Sequence, residues 1–504
     1  MDINRAKQEI KNSIRAYLAK DEDGTYRIPA VRQRPILLMG PPGIGKTAIM
    51  EQAANECGIA LVSYTITHHT RQSAIGLPFL NKRSYGGREY TVTEYTMSEI
   101  IASVYDKMEE TGLHEGILFI DEINCVSETL APMMLQFLQR KSFGSHFVPA
   151  GWIIVAAGNP PEYNKSVREF DIVTLDRLKR IDVEENFDVW KQYAYRNRIH
   201  PSILSYLEIK KQNFYAIETT VDGKAFVTAR GWEDLSNFMQ TYEALGLTVD
   251  ESVISEYLQH PRIARDFAAY YDLFRKYRSD YHIDDILSGK RPASAIERLK
   301  NAPFDERLSV IGLLLGKLTE TFSEVYHQEL CVSHIFDSLK AVQAAHAQTP
   351  LSEQLEQKAA ALRHSLESRQ KASAVDRKEV AALQRAAQTL EQYQHTAAGI
   401  ADTDAAFSVV SEQFGKLNDA LEQQTDACAQ ALEAAFAFLE TAFCKSQELV
   451  VFVTELNTNC YATHFIQQNG SEAYSRCNRE LMIGRQRREL LGDIEKMQGV
   501  LQGI

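Results

Sequence analysis

Long apolar runs, patterned cysteines and an excess of positive charge are all missing from this sequence. No stretch approaches ~18 uninterrupted apolar residues, so no membrane-spanning helix is expected. The first residues, Met1-Asp2-Ile3-Asn4-Arg5-Ala6-Lys7, lack the apolar segment of a secretory leader. Seven cysteines, at 57, 125, 331, 428, 444, 460 and 477, include no Cys-x-x-Cys pair. Such an odd, scattered set argues against a disulfide framework or a cysteine zinc site and predicts reduced thiols in a cytoplasmic protein. Lysine and arginine number 55 against 67 acidic residues, a net charge of −12. That argues against a generic polyanion binder, and nucleic acid is not the expected partner.

Proline and tryptophan are absent from most of the second half. All three tryptophans and 13 of the 14 prolines precede residue 304, and only Pro350 follows. The length of 504 residues suggests about three domains at roughly 150 residues each. In the first part, Arg34-Pro35-Ile36-Leu37-Leu38-Met39, Gly116-Ile117-Leu118-Phe119-Ile120 and Trp152-Ile153-Ile154-Val155-Ala156-Ala157 are short apolar runs beside helix-like sequence, the pattern of a parallel α/β sheet. Strand signals fade after about Asp188, and a turn-rich stretch at Thr219-Thr220-Val221-Asp222-Gly223-Lys224 interrupts the helical pattern. Residues 351–450 hold 22 alanines and 12 glutamines, and no aromatic residue lies between Phe336 and Tyr393. Leu351, Leu355, Leu362 and Leu366, and then Val380, Leu383, Ala387 and Leu390, recur at helical spacing. The expected fold class is therefore α/β: a parallel-sheet core over 1–187 with a helical lid over 188–280, then a connector over 281–303 and an all-α C-terminal bundle over 304–504. A long helical hairpin is expected at about 351–397, in preference to a dimerising coiled coil.

The chemistry concentrates in the first part. Gly40-Pro41-Pro42-Gly43-Ile44-Gly45-Lys46-Thr47 is a complete phosphate loop, following a predicted strand and opening a helix. Its backbone N–H groups and the helix dipole suit the phosphates of ATP. Lys46 would neutralise the β- and γ-phosphates, and Thr47 would hold Mg²⁺. The strand Ile117-Leu118-Phe119-Ile120 ends in Asp121-Glu122. Asp121 would hold Mg²⁺ through water, and Glu122 would polarise the attacking water. Asn159, closing the third strand before Pro160-Pro161, would orient that water from the other side.

This order of motifs, followed by Leu175-Asp176-Arg177-Leu178-Lys179-Arg180, resembles the P-loop core of AAA+ ATPases. Asp121-Glu122-Ile123-Asn124 and Gly151-Trp152-Ile153-Ile154-Val155-Ala156-Ala157-Gly158-Asn159-Pro160 narrow the resemblance to the MoxR group, related to the dynein-type AAA modules. It covers about residues 20–275. The resemblance implies that Asn159 is the sensor-1 residue and that Arg177 or Arg180 is the arginine finger of a neighbouring subunit's site. It also implies that Arg230 is the sensor-2 arginine of the lid, although Ala229 stands where relatives carry proline. A finger supplied in trans requires a ring, expected to be a hexamer. The implied work is chaperone-like remodelling or maturation of a partner protein, one with a von Willebrand factor A domain. Rival readings are a nucleic-acid motor and a nucleotide-gated scaffold.

Other candidates are weaker. Asn81 to Tyr90 reads as a turn around Gly86-Gly87, in which Tyr85 is a candidate to grip a polypeptide. Lys141 to Phe147 reads as a second hairpin whose aromatics either face a substrate or pack on the core. His68-His69 lacks ligand partners at suitable spacing for a metal. Arg476, Arg479, Arg485, Arg487 and Arg488 are interleaved with Asn478, Glu480 and Glu489, the pattern of a solvated helix face.

Overall fold

Three apolar tetrapeptides to heptapeptides set the architecture, because strands buried on both faces must lie inside a parallel sheet covered by helices. The structure, a computed structural model, describes residues 1–68, 74, 76–163, 170–220, 223–344, 350–371, 377–400, 402–444 and 446–481. Its strands are β1 (Ile36–Met39), β2 (Ala60–Thr65), β3 (Pro78–Tyr85), β4 (Arg88–Tyr95), β5 (Gly116–Asp121), β6 (Ser142–Phe143), β7 (His146–Phe147), β8 (Trp152–Gly158), β9 (Lys179–Asp182), β10 (Ala216–Thr220) and β11 (Gly223–Val227). The chain forms two compact units, Met1–Val189 with Ala359–Gln384, and Trp190–Lys358 with the remainder from Arg385.

In the first unit, five parallel strands run in the order β2-β5-β8-β1-β9. Every residue of β1 and β8 is buried, as are the first five of β5. Leu37, Leu118, Ile154 and Ala156 pack with Ile100, Val104, Met134 and Phe137 from the covering helices Glu99–Thr111 and Ala131–Arg140. The edge strands β2 and β9 carry weaker sequence signals, since β2 alternates buried and exposed residues over Val62–Thr65 and β9 is four residues long and charged.

Two hairpins leave this core. β3 and β4 pair through eight residues each, and Gly86 and Gly87 turn the chain at φ 58° and 79°, the left-handed backbone of a two-residue hairpin turn. All of β3 is exposed, with Tyr85 and Tyr90 side by side near the tip, ring centroids 6.0 Å apart. β6 and β7 divide their aromatics: Phe143 is buried and stacked on Phe137 at 4.2 Å, whereas Phe147 is exposed. Both expected hairpins are present, and the second one uses its two phenylalanines in different ways.

Lys141 ends the helix before β6 in left-handed backbone, and its side chain is buried. Its ammonium donates to Gln33 Oε1 at 2.8 Å and to the Trp152 carbonyl at 3.4 Å. Burial away from any contacting carboxylate pulls its pKa from 10.5 down to about 8.

In the second unit the segments expected as lid, connector and bundle share one core. The expected connector holds the helices Ile283–Leu287 and Ala293–Asn301, whose Ile283, Ile286, Ile296 and Leu299 are buried against Leu314, Leu318, Phe436 and Phe452. In the helix Phe304–Ala344 every residue from Leu308 to Leu315 is buried except half-buried Gly312, the mark of a central helix. Gly312 and Gly316 let it lie against the helix Pro201–Ile209, since a Cβ there would meet Ser205 and Pro201 at 2.7 and 2.5 Å. Lys191, itself buried, donates to Glu208 at 2.8 Å and Glu455 at 2.6 Å, and Tyr195 donates to Glu455 at 2.6 Å. Composition shifts near 304 because the elements change there, while the packing continues across it. Of the turn-rich stretch near 220, Thr219, Thr220, Gly223 and Lys224 belong to the antiparallel pair β10–β11, and Val221 and Asp222 lie outside the described residues. The Ala/Gln-rich stretch forms helices Leu351–Lys371 and Arg377–Ala398; Leu351, Leu355, Ala387 and Leu390 are buried residues of this unit, and Leu366 and Leu383 are buried residues of the first. Helices Thr403–Phe443, Gln447–Thr458 and Cys460–Asn469 follow. No helix among the described residues is long and apolar enough to cross a membrane.

Two predictions follow from this packing. A chain ending at residue 303 should lose Glu455, the buried partner of Lys191 and Tyr195, and much of the core of residues 190–303. Those residues should then lack a cooperative melt and bind a hydrophobic dye; a cooperative melt would show that they fold alone. For Lys141 the folded pKa lies below the unfolded one, so between pH 8 and 10.5 the unfolded chain binds more protons and stability rises with pH. Urea titrations across that window should show a slope of up to about 1.4 kcal/mol per pH unit, flattened in Lys141→Met.

Candidate functional site

Strand order decides which motifs meet. β8 lies between β1 and β5, so the loop after β1, the carboxylates ending β5 and the amide ending β8 emerge side by side at the carboxyl edge of the sheet. That edge is where parallel α/β sheets bind ligands.

The phosphate loop links β1 to the helix Lys46–Cys57. Gly43 and Gly45 take φ of 73° and 94°, backbone that keeps side chains out of the loop. Lys46 is buried, and its ammonium donates to the Gly40 carbonyl, the Pro41 carbonyl and Asn159 Oδ1, each at 2.8 Å. Thr47, the next residue, donates its hydroxyl to Asp121 Oδ2 at 3.0 Å. The other Asp121 oxygen, Oδ1, accepts from the Glu122 N–H at 2.9 Å. Lys46, Thr47, Asp121 and Asn159 therefore form one contact network built from three separate motifs.

Glu122 sits at φ 57°, ψ 34°, in left-handed backbone, and leads into the 3₁₀ turn Ile123–Cys125. Such backbone costs of order 1–3 kcal/mol in a residue with a side chain. It turns the chain sharply at the strand end, where Asp121 and Glu122 would otherwise point to opposite faces. The Glu122 side chain is half-buried and makes no hydrogen bond or ion pair among the described residues. Its carboxylate is thus available to a water at this edge.

Asn124 closes the Asp121-Glu122-Ile123-Asn124 motif, which by itself assigns it no role. Its Nδ2 donates to the Asn159 carbonyl at 2.7 Å. The signal that marks it is its spacing, three residues beyond Asp121 in a buried turn.

Arg177 and Arg180 stand outside this network. Arg177 is exposed in the turn before β9 and donates to the neutral amide of Gln139 at 2.7 Å. Arg180 is exposed on β9 and ion-paired with Asp182 on the same strand at 2.8 Å. Arg230 belongs to the second unit, exposed in the first turn of the helix Ala229–Ala244, which Thr228 caps. Of the remaining candidates, His69 and Arg485, Arg487 and Arg488 lie outside the described residues. Arg476 pairs with Glu440 at 2.6 Å, as a solvated helix face predicts. No group of three or more metal-binding side chains of the His, Cys, Asp and Glu types occurs among the described residues.

Residues 36–178 match the model of the ATPase family associated with various cellular activities (AAA). This segment is similar to the ATPase modules of that family. No curated protein matches the chain. The matched segment begins at β1 and ends at Leu178, just before β9, so it contains the whole Lys46–Thr47–Asp121–Asn159 network and Glu122. The AAA match and the five-stranded parallel core agree with each other. Helix-rich structure follows the module.

The network predicts a graded mutational response. Lys46→Ala removes the side-chain cation that reaches the loop carbonyls, and should abolish ATP binding in an equilibrium titration with a fluorescent ATP analogue. Tight binding in that variant would contradict the role of the loop.

Proposed function

We propose that the chain hydrolyses ATP at this site and uses the cycle to remodel or mature a partner protein. The observation that carries the reading is the convergence of Lys46, Thr47, Asp121 and Asn159 in hydrogen-bonding contact at one sheet edge, inside the AAA match. Residues 40–47 hold the phosphates through backbone N–H groups, with Lys46 as the countercharge. The Thr47 hydroxyl and the Asp121 carboxylate are hard oxygen donors 3.0 Å apart, a donor pair that fits Mg²⁺. Mg²⁺, when bound, supplies charge that offsets the β- and γ-phosphate oxygens. Glu122 takes the proton of the attacking water, and Asn159 orients that water and the terminal phosphate through its side-chain amide.

The transition state spreads negative charge over the transferred phosphoryl group, which a planar guanidinium suits. In the ring we propose, expected to be a hexamer, that arginine comes from a neighbouring subunit. Arg177 is the better candidate, because the guanidinium of Arg180 is already paired with Asp182 while the contacting partner of Arg177 is a neutral amide. Arg230 then acts from the lid as the sensor-2 residue. The exposed tyrosines of the β3–β4 hairpin, Tyr85 foremost, are placed on a projecting element suited to gripping a polypeptide. The MoxR assignment, and with it a partner containing a von Willebrand factor A domain and a cytoplasmic setting, rests on the motif resemblance and cysteine usage.

Mixing subunits tests the shared site. Arg177→Ala should bind ATP nearly normally and lose on the order of 10³-fold in turnover. Lys46→Ala subunits carry an intact finger beside a dead loop. Co-assembled with Arg177→Ala subunits, they should restore phosphate release that neither variant shows alone. Inactivity despite confirmed mixed rings would assign Arg177 a role within its own subunit.

A further inference from the structure

Asn124 is an expensive residue for a buried turn. Its side chain is 2% exposed, and its buried Oδ1 has no hydrogen-bond partner among the described residues. A buried amide oxygen left unsatisfied destabilises the fold, whereas an apolar residue of similar size would carry no such penalty. The amide also constrains its neighbours. A Cβ on residue 158 would lie 2.6 Å from Asn124 Oδ1, so glycine stands there in the middle of a fully buried strand end. The turn that delivers Asn124 begins at Glu122 in left-handed backbone.

These costs accompany one favourable contact, the 2.7 Å hydrogen bond from Nδ2 to the carbonyl of Asn159. Asn159 precedes Pro160, so its backbone is already restricted to extended conformations. Fixing its carbonyl as well fixes the direction in which its side chain leaves the strand. That side chain reaches Lys46, with Oδ1 2.8 Å from the ammonium. The same turn carries Asp121 and Glu122, so one short segment locates the carboxylates and the amide together.

We propose that Asn124 is a positioning residue that locks the Asn159 amide to the carboxylate turn and to Lys46. It does not contact the phosphates; it acts through Asn159. The proposal rests on the reading that Asn159 serves ATP hydrolysis.

The test measures phosphate release from Mg·ATP by the full-length chain. Asn124→Ala should lower kcat roughly 10- to 100-fold, the scale of an ångström-sized misplacement near reacting atoms, with KM changed by no more than about twofold. Asn124→Asp keeps the shape but not the Nδ2 donor and should lose at least a similar factor, and the retained KM of Asn124→Ala separates misplacement from misfolding. Gly158→Ala displaces the amide and should also lower kcat. The decisive arm is the double variant: in an Asn159→Ala background, adding Asn124→Ala should change kcat less than about twofold, because residues acting through one another are not additive. Losses that multiply in the double variant, or parental kcat in Asn124→Asp, would overturn the proposal. A parental chain that releases no phosphate would instead remove the reading on which it rests.

Discussion

The site depends on where one ammonium group is held. Lys46 can touch Asn159 only because β8 is the strand next to β1, and Thr47 can touch Asp121 only because β5 lies immediately beyond β8. A parallel sheet delivers all three strand ends to one edge, and the buried faces of β1, β5 and β8 fix their relative heights. The apolar strands and the polar cluster are therefore one feature. The first sets the register that makes the second a contact network.

Much of that network was legible because its signals are local. The phosphate loop, the Asp-Glu pair and the strand-ending Asn each lie within a few residues of an apolar run, so their positions on strand ends could be read from sequence. Which of them touch could not. The Lys46–Asn159 contact spans 113 residues and the Asn124–Asn159 contact 35, and no short pattern encodes either. The exposed arginines show the reverse case. Their motif is visible in sequence, and the structure separates Arg177 from Arg180 through their partners, Gln139 and Asp182.

The second unit shows what composition hides. Proline and tryptophan report local chain geometry and the need for bulky fillers, and both change near 304. Packing does not follow that change, because Leu314, Phe436 and Phe452 bury the helices of the expected connector. Lys191 and Glu455, 264 residues apart in sequence, form a buried ion pair whose cost is offset only when both partners are present. Helices assigned from sequence to a lid and to a bundle therefore belong to one unit.

The central claim is that the carboxylate turn at the end of β5 performs hydrolysis on a nucleotide held by the loop after β1. Glu122→Gln tests it most directly, because the substitution keeps the size of the side chain, leaves Asp121 and Thr47 in place and removes only the base. Bound nucleotide and released phosphate would be measured on the same full-length sample with Mg·ATP. The account predicts ATP bound as tightly as in the parental chain and phosphate release reduced at least ~10²-fold, the scale of a lost general base. Parental turnover in Glu122→Gln would contradict it.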